Sequence, residues 1–196
     1  GLSLAHERYD NPGANGVPAL RIRPRPAGHL SDNNRLTLVD FSAGRDTDVN
    51  KWSLEYAQVN GPLSWQGEFS GATFDDGRQR GKVLAGYGLV SCFVTGESRV
   101  YDRKTGRFGR VKDFQHRAGA FELALRYDQM RGDQHLIGQP DLRDGQTEAW
   151  TLGGNWYMRP NLRFMLNVIE SRNRDRLADA TVDRTRAVTG RLQYDF

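Results

Sequence analysis

The sequence predicts an all-β protein, an antiparallel up-and-down barrel that crosses a membrane with its strands, and three observations carry that prediction. Period-two alternation of apolar and polar residues recurs along most of the chain, while helical periodicity is nearly absent. The alternating segments run to about 10–12 residues, close to the roughly 9–11 that a tilted strand needs to cross a bilayer and about twice a usual globular strand. With 37% hydrophobic residues, 22 glycines and a mean hydropathy of −0.70, the chain is lean for a soluble core but ordinary for a wall around a wet interior.

Taken in order, "LSLAHERY" at the start is a candidate first strand. "ALRIRPRP" gives a strand over 18–25 that sets Leu20 and Ile22 on one face, toward lipid, and Arg21, Arg23 and Arg25 on the other. Pro24 fits a wall strand only near its end, because a closed wall uses nearly every backbone N–H. "RLTLVDFS" gives 34–42 with an ambiguous facing. In 51–60, Trp52, Leu54 and Tyr56 oppose Ser53, Glu55 and Ala57; in 63–74, Leu63, Trp65 and Phe69 oppose Ser64, Gln66, Glu68 and Ser70. For 82–95 the outward set is Val83, Tyr87, Leu89 and Phe93.

The clearest alternation lies in 117–130, where Phe121, Leu123, Leu125 and Tyr127 oppose Glu122, Ala124, Arg126 and Asp128. Segment 147–158 sets Trp150, Leu152 and Trp156 outward, and 161–172 sets Leu162, Phe164, Leu166 and Val168 against Arg163, Met165 and Asn167. The last strand, 185–196, places Val188, Leu192, Tyr194 and Phe196 opposite Thr189, Arg191, Gln193 and Asp195. Trp52, Trp65, Trp150, Trp156 and Tyr194 are candidates for an aromatic belt at the headgroups. "NGP" at 60–62 and "RPN" at 159–161 are tight turns, whereas 43–50, 75–81, 131–146 and 173–184 are longer and polar. The connection 96–116 is long although it falls on the tight-turn side, so either that turn is unusual or it hides a strand pair.

The formal charge is +4, with arginine far outnumbering lysine, which favours planar, bidentate contacts to anions. The single cysteine, Cys92, excludes an internal disulfide and a cysteine-based metal site. His6, His29, His116 and His135 lie far apart without ligand spacing, and neither "GYG" nor "GGN" opens a helix, so no metal, phosphate-cradling loop or other cofactor is expected. No apolar run approaches the ~18–20 residues of a membrane helix. Residues 1–17 carry neither a charged n-region nor an apolar h-region, so the chain reads as a mature or truncated product.

Arg126 between Glu122 and Asp128 could imitate a catalytic carboxylate pair, but three charges on one strand face read better as a lumen cluster, and no enzyme is expected. Residues 99–112 hold six basic residues against one acid. They are open to three readings: a solvated loop, a basic collar that gathers anions, or a nucleic-acid patch with Tyr101 and Phe108 for stacking. Lumen-facing charges are assigned to Arg126, Arg163, Arg191, Glu68 and Glu122. The row Arg21, Arg23, Arg25 either meets passing anions or pairs with acids of neighbouring strands such as Glu55, Glu68 or Glu122. A complete small outer-membrane barrel with an enzymatic or adhesive role is one alternative. A soluble β-rich nucleic-acid-binding module is another, disfavoured because its long apolar faces would lie exposed.

The blocks "NGPLSWQGEF", "FVTGESRVYDRKTGRFGRVKDF", "GAFELALRYDQM", "TLGGNWYMRPNLRFMLNVIESR" and the closing "GRLQYDF", in that order, resemble the phosphate-selective porin O/P family from about residue 18 to 196. The resemblance implies a 16-stranded barrel in the bacterial outer membrane, an even-stranded wall of the bacterial type, of which this chain is the C-terminal portion as a single domain over 1–196. It implies passive diffusion of anions, with inorganic phosphate or polyphosphate favoured, contact with outer-membrane lipid, a homotrimer when full length, and no nucleic-acid partner. It also implies that Arg21, Arg23 and Arg25 belong to a row of arginines along the pore, with the constriction loop upstream of this chain.

Overall fold

A computed structural model describes residues 1–25, 27, 35–102 and 104–195. Eight strands form one antiparallel sheet in chain order: β1 (Leu2–Tyr9), β4 (Thr47–Asn60), β5 (Leu63–Asp75), β6 (Gln79–Phe93), β9 (Ala120–Leu136), β10 (Asp141–Arg159), β11 (Leu162–Asp175) and β12 (Ala180–Tyr194). Two short pairs stand outside it, β2 (Arg21–Ile22) with β3 (Val39–Asp40), and β7 (Tyr101–Asp102) with β8 (Arg107–Phe108). Among the described residues there is no helix, and β1 and β12 are the edges of the sheet.

The alternation sorts the sheet into two unlike faces. On one, Leu54 faces Phe69 across β4 and β5, while Val90, Leu125, Leu152, Val168 and Val188 lie opposite one another in turn from β6 to β12. These side chains are bare, with Val188 69% exposed and Leu192 67%. The other face is covered: Val49, Phe74 and Val83 are buried, as are Phe93 and Ala120 farther along the strands. A sheet that hides its wetter face and bares its greasier one suits a lipid solvent.

Two connections cover the inner face. The first, residues 10–46, joins β1 to β4 and folds back over the wall, so that Leu20, Leu38, Val39 and Phe41 share a core with Val49, Phe74 and Val83. Its feet are tied by Asp46, which accepts from Arg8 Nη2 at 2.9 Å and from the Asn11 amide at 3.2 Å. The second, residues 94–119, joins β6 to β9 at the tight-turn end, where Val111 packs with Phe93 and Ala120 and is flanked by Phe114 and Tyr157.

The first connection sits in a shallow track of glycines. Gly132 and Gly145 face each other across β9 and β10, and Gly81 lies opposite Gln134 on β6. A Cβ on Gly132 would stand 2.7 Å from the Leu38 Cβ, and one on Gly81 would stand 2.9 Å from the Phe41 ring. Only a strand face without side chains lets the second backbone come so close. Gln134, 2% exposed, finishes the seat: its Oε1 accepts the Asp40 amide and its Nε2 donates to the Asp40 carbonyl, both at 2.8 Å.

The structure corrects the predicted wall at several points. Segment 18–25 is not a wall strand; only Arg21–Ile22 is extended and paired, inside the folded-back connection, and Leu20 and Ile22 pack on the inner face of the wall instead of facing lipid. Segment 34–42 likewise reduces to Val39–Asp40, with residue 34 outside the described residues. The nine or ten predicted strands become eight in the sheet, with "LSLAHERY" among them. The facing of β6 is reversed: Val83 and Phe93 are buried inside, Tyr87 and Leu89 share their side, and Val90 lies bare on the other. The period was right there, but glycines 86 and 88 occupy the outer positions and hid the true apolar face. The long turn 96–116 is both unusual and the holder of a strand pair, β7 with β8.

The glycine track gives a direct test. Gly132→Leu should unseat residues 35–42 and cost about 1–3 kcal/mol of stability through overpacking. The expected readout is an earlier heat-modifiability midpoint on detergent gels with faster proteolysis of 10–46; an unchanged midpoint and cleavage pattern would show that the close approach is not needed.

Candidate functional site

The inner face is where the chain concentrates its charge, and the first connection carries three arginines into it. Leu20 is buried and Ile22 packs against the same core, while the alternate residues Arg21, Arg23 and Arg25 are exposed. Arg21 Nε lies 3.0 Å from Asp40 Oδ2, the residue opposite it in the β2–β3 pair. Partial burial works against ionisation of Asp40, but hydrogen bonding from Ser42 and the Arg21 guanidinium outweigh it and hold the carboxyl below the usual carboxylate range. Arg23 has no ion-pair partner among the described residues. The acids Glu55, Glu68 and Glu122, named as possible partners of the row, do not pair with Arg21 or Arg23; the partner of Arg21 comes from its own connection.

Arg25 borders a cavity of about 490 Å³ whose far side is the wall, with Glu68, Tyr87, Arg126 and Asp128. These wall charges are tied to one another. Arg126 makes a two-pronged contact with Asp128, Nε and Nη2 at 2.9 and 2.6 Å from Oδ1, and its guanidinium carbon lies 3.8 Å from the Tyr87 ring centroid. The Tyr87 hydroxyl donates to Glu68 at 2.8 Å. Arg126, Glu68 and Asp128 thus form one satisfied patch facing the folded-back arginines, an arrangement of ion pair and stacked cation and not a pair of carboxylates poised for acid–base work.

At the tight-turn end the centre is Glu122, whose side chain is fully buried. Arg99 Nη2 stands 2.6 Å from its Oε1, while Asn155 Nδ2 and the Tyr157 hydroxyl each donate to Oε2 at 2.9 Å. Arg99 belongs to the second connection and also lies over the Phe108 ring at 5.1 Å, so one ion pair fastens that strap to the wall. Arg163 donates to Gln193 at 2.9 Å and stacks over Tyr157 at 5.4 Å. Arg191 is exposed on β12, on the Arg163 and Gln193 side of its strand.

A second clasp closes the strap at its base. Glu97, 3% exposed, accepts the Gln115 amide at 2.9 Å and the Thr95 hydroxyl, while Gln115 Nε2 donates to the Gly96 carbonyl. Burial works against ionisation of Glu97, but those two hydrogen bonds prevail and hold its carboxyl below the usual range.

Sequence reasoning missed Asp40, Gln134, Arg99 and Tyr157. Nothing local marks the first two, since residues 94 apart in the chain meet only when the connection folds back. The glycines at alternate places in long strands were the one available signal of a close backbone approach.

These features, a long-stranded antiparallel sheet with a bare apolar face and with arginines on a connection folded over its other face, have a counterpart among known proteins. The family described as "Phosphate-selective porin O and P" matches residues 1–196. The chain belongs to that family. It is accordingly a protein of the bacterial outer membrane. It is 29% identical to Porin O of Pseudomonas aeruginosa, an alignment that covers 90% of this chain and 45% of that protein. The chain therefore spans less than half the length of the curated relative it matches.

Two outcomes are expected for the strap. Glu122→Leu leaves Arg99, Asn155 and Tyr157 without their acceptor and should cost about 3 kcal/mol, read as a lower urea midpoint in detergent. Because the Glu97 carboxyl titrates below its ordinary value when folded, its contribution is complete at neutral pH and fades as pH falls through that lowered value. Protection of the Gln115 amide, its exchange relative to an unstructured amide at the same pH, should fall at acid pH in the native protein and be low at every pH in Glu97→Gln.

Proposed function

We propose that this chain forms the C-terminal part of an outer-membrane porin through which small anions diffuse passively, with inorganic phosphate or polyphosphate favoured. The observation that carries the reading is the row Arg21, Arg23 and Arg25, held off the wall and into the interior because Leu20 and Ile22 are pinned to the inner face. An exposed guanidinium offers two parallel N–H donors to a phosphate. At an effective dielectric near 20, a charge pair about 4 Å apart gains roughly 4 kcal/mol before desolvation is counted. Moderate sites in series let an anion enter and still leave.

Supporting this reading are the family to which the chain belongs and its similarity to Porin O of Pseudomonas aeruginosa. In the full-length protein further strands join the edges β1 and β12 to close a sixteen-stranded wall, an even count as bacterial barrels require, and three copies assemble as a trimer. The tight turns at 61–62 and 160–161 then lie on the periplasmic side, and the connection 10–46 enters the lumen from outside. A porin family implies a channel and not an enzyme. Within the row, Arg21 is partly masked by Asp40, so Arg23 carries the most available charge.

Conductance of the full-length protein in planar bilayers tests this. Arg23→Gln should raise the phosphate concentration that half-blocks chloride current by roughly fivefold to tenfold, the loss of about one charge-assisted hydrogen bond. Asp40→Asn should act oppositely, tightening the block roughly twofold by unmasking Arg21. Unchanged anion preference in Arg23→Gln would remove the arginine row from the explanation.

A further inference from the structure

The bare apolar face of the sheet carries a hollow of about 460 Å³ where β5, β6 and β9 run side by side. Its floor includes Gly86 and Gly88 of β6, with Phe69 and Tyr127 at the sides, and at its loop end stand Arg131 and Arg176. We propose that this hollow binds a phosphorylated lipid, with an acyl chain over the glycines and the headgroup phosphate against Arg131 and Arg176. This rests on the reading of the sheet as an outer-membrane wall whose bare face meets lipid. It does not depend on which anions the interior passes.

The register puts these groups on one side of the wall. Across β6 and β9, Gly88 lies opposite Tyr127, Gly86 opposite Gln129 and Leu84 opposite Arg131. Next toward the tight turns come Val90 and Leu125, bare members of the same face. The side chains of Glu68 and Tyr87 bond to each other on the inner face, so the charged side chains that meet the hollow are the two arginines. Gly88 is the telling position. It sits in an ordinary extended strand without positive φ, and a Cβ there would meet no atom within 4 Å. Neither the backbone nor a neighbour in this chain requires a glycine. A strand glycine of that kind fits the close approach of a ligand.

Arg131 and Arg176 are held side by side by one acid. Asp144 accepts from Arg131 Nη2 at 3.0 Å and from Arg176 Nε at 3.2 Å, and Gln146 Oε1 accepts from Arg176 Nη1 at 3.3 Å. Two guanidinium groups on one carboxylate keep a positive charge in excess, already oriented for a phosphate. Asp133, opposite Asp144 on one side, lies opposite Lys82 on the other. The arginine side chains are 43% and 40% exposed against 12% for Asp144, so the remaining donors face outward and the acid does not. A cationic rim over an apolar groove complements an amphiphile with an anionic head. From Gly88 to Leu84, beside Arg131, is about 13 Å of strand, so chain and head fit as parts of one ligand. A free phosphate would use the rim and leave the groove empty.

The test uses the full-length protein in a neutral detergent, titrated in parallel with diphosphoryl lipid A and with phosphatidylcholine, the lipids retained being counted by native mass spectrometry. Preferential retention of lipid A is expected. Arg131→Gln/Arg176→Gln should weaken it roughly tenfold through lost charge-assisted hydrogen bonds. Gly88→Leu, which has room for its side chain, should weaken it roughly fivefold by filling the groove, with an unchanged heat-modifiability midpoint. Both variants should conduct like the native protein, because the hollow lies on the opposite face of the wall from the arginine row. Equal retention by the native protein and both variants overturns the site. Weakening in the arginine variant alone overturns it too, since it marks a rim that attracts phosphate without a seated chain. A changed oligomeric state in Gly88→Leu marks a contact between copies and likewise overturns it. If the bare face does not meet lipid at all, the native protein retains neither lipid; if only the site fails, it retains both alike. An Arg23→Gln variant with unchanged anion preference would leave these outcomes as they are.

Discussion

Everything inside the wall depends on how closely one stretch of backbone approaches another. Leu38, Val39 and Phe41 can lie on β6, β9 and β10 because Gly81, Gly132 and Gly145 leave no side chains in the way. Burial there supplies the hydrophobic part of the contact, at about 25 cal/mol per Å² of apolar surface removed from water. Gln134 satisfies the Asp40 amide and carbonyl that would otherwise be stranded against the wall. With the connection seated, Leu20 and Ile22 are turned to the wall and Arg21, between them, to Asp40.

That arrangement separates two tasks that a wall strand would have to combine. A strand in the wall must give its apolar face to lipid and its backbone to both neighbours, which leaves no place for Pro24. A connection folded onto the wall needs neither. Its apolar face meets protein, its ladder pairing is confined to Arg21–Ile22 with Val39–Asp40, and its arginines stand exposed. Several of the wall's own charges, by contrast, are held by partners: Arg126 by Asp128, Glu68 by Tyr87, and Glu122 by Arg99 of the strap. The interior thus combines a self-satisfied lining with cations presented on a separate support.

The strap 94–119 repeats the principle at the other end with a different fastening. In place of glycines it uses a buried carboxylate, and the cost of burying Glu122 is offset by one guanidinium and two neutral donors. The same network reaches Arg163, which meets the Tyr157 ring and hydroxyl and has no carboxylate partner among the described residues. The fastening of the strap and the setting of Arg163 are therefore parts of one network, running from Arg99 through Glu122 and Tyr157 to Arg163.

The membrane wall was legible in the residues themselves. The alternation of Phe121, Leu123 and Leu125 with Glu122, Ala124 and Arg126 is a local property, because adjacent residues of a strand point to opposite sides whatever surrounds them. Most of the long strands and the tight turns at 61–62 and 160–161 follow from it, as does the face that Arg126, Arg163 and Glu122 share. The alternation of "ALRIRPRP" was equally clear, but alternation states only that two faces differ and not what each one meets. Lipid and the inner side of a wall are both apolar neighbours, so Leu20 and Ile22 read the same in either setting. Tertiary structure decided between them, through contacts among residues as distant as Asp40 and Gln134. It also reversed β6, where glycines at positions 86 and 88 emptied the outer face of the signal on which period-two reasoning relies.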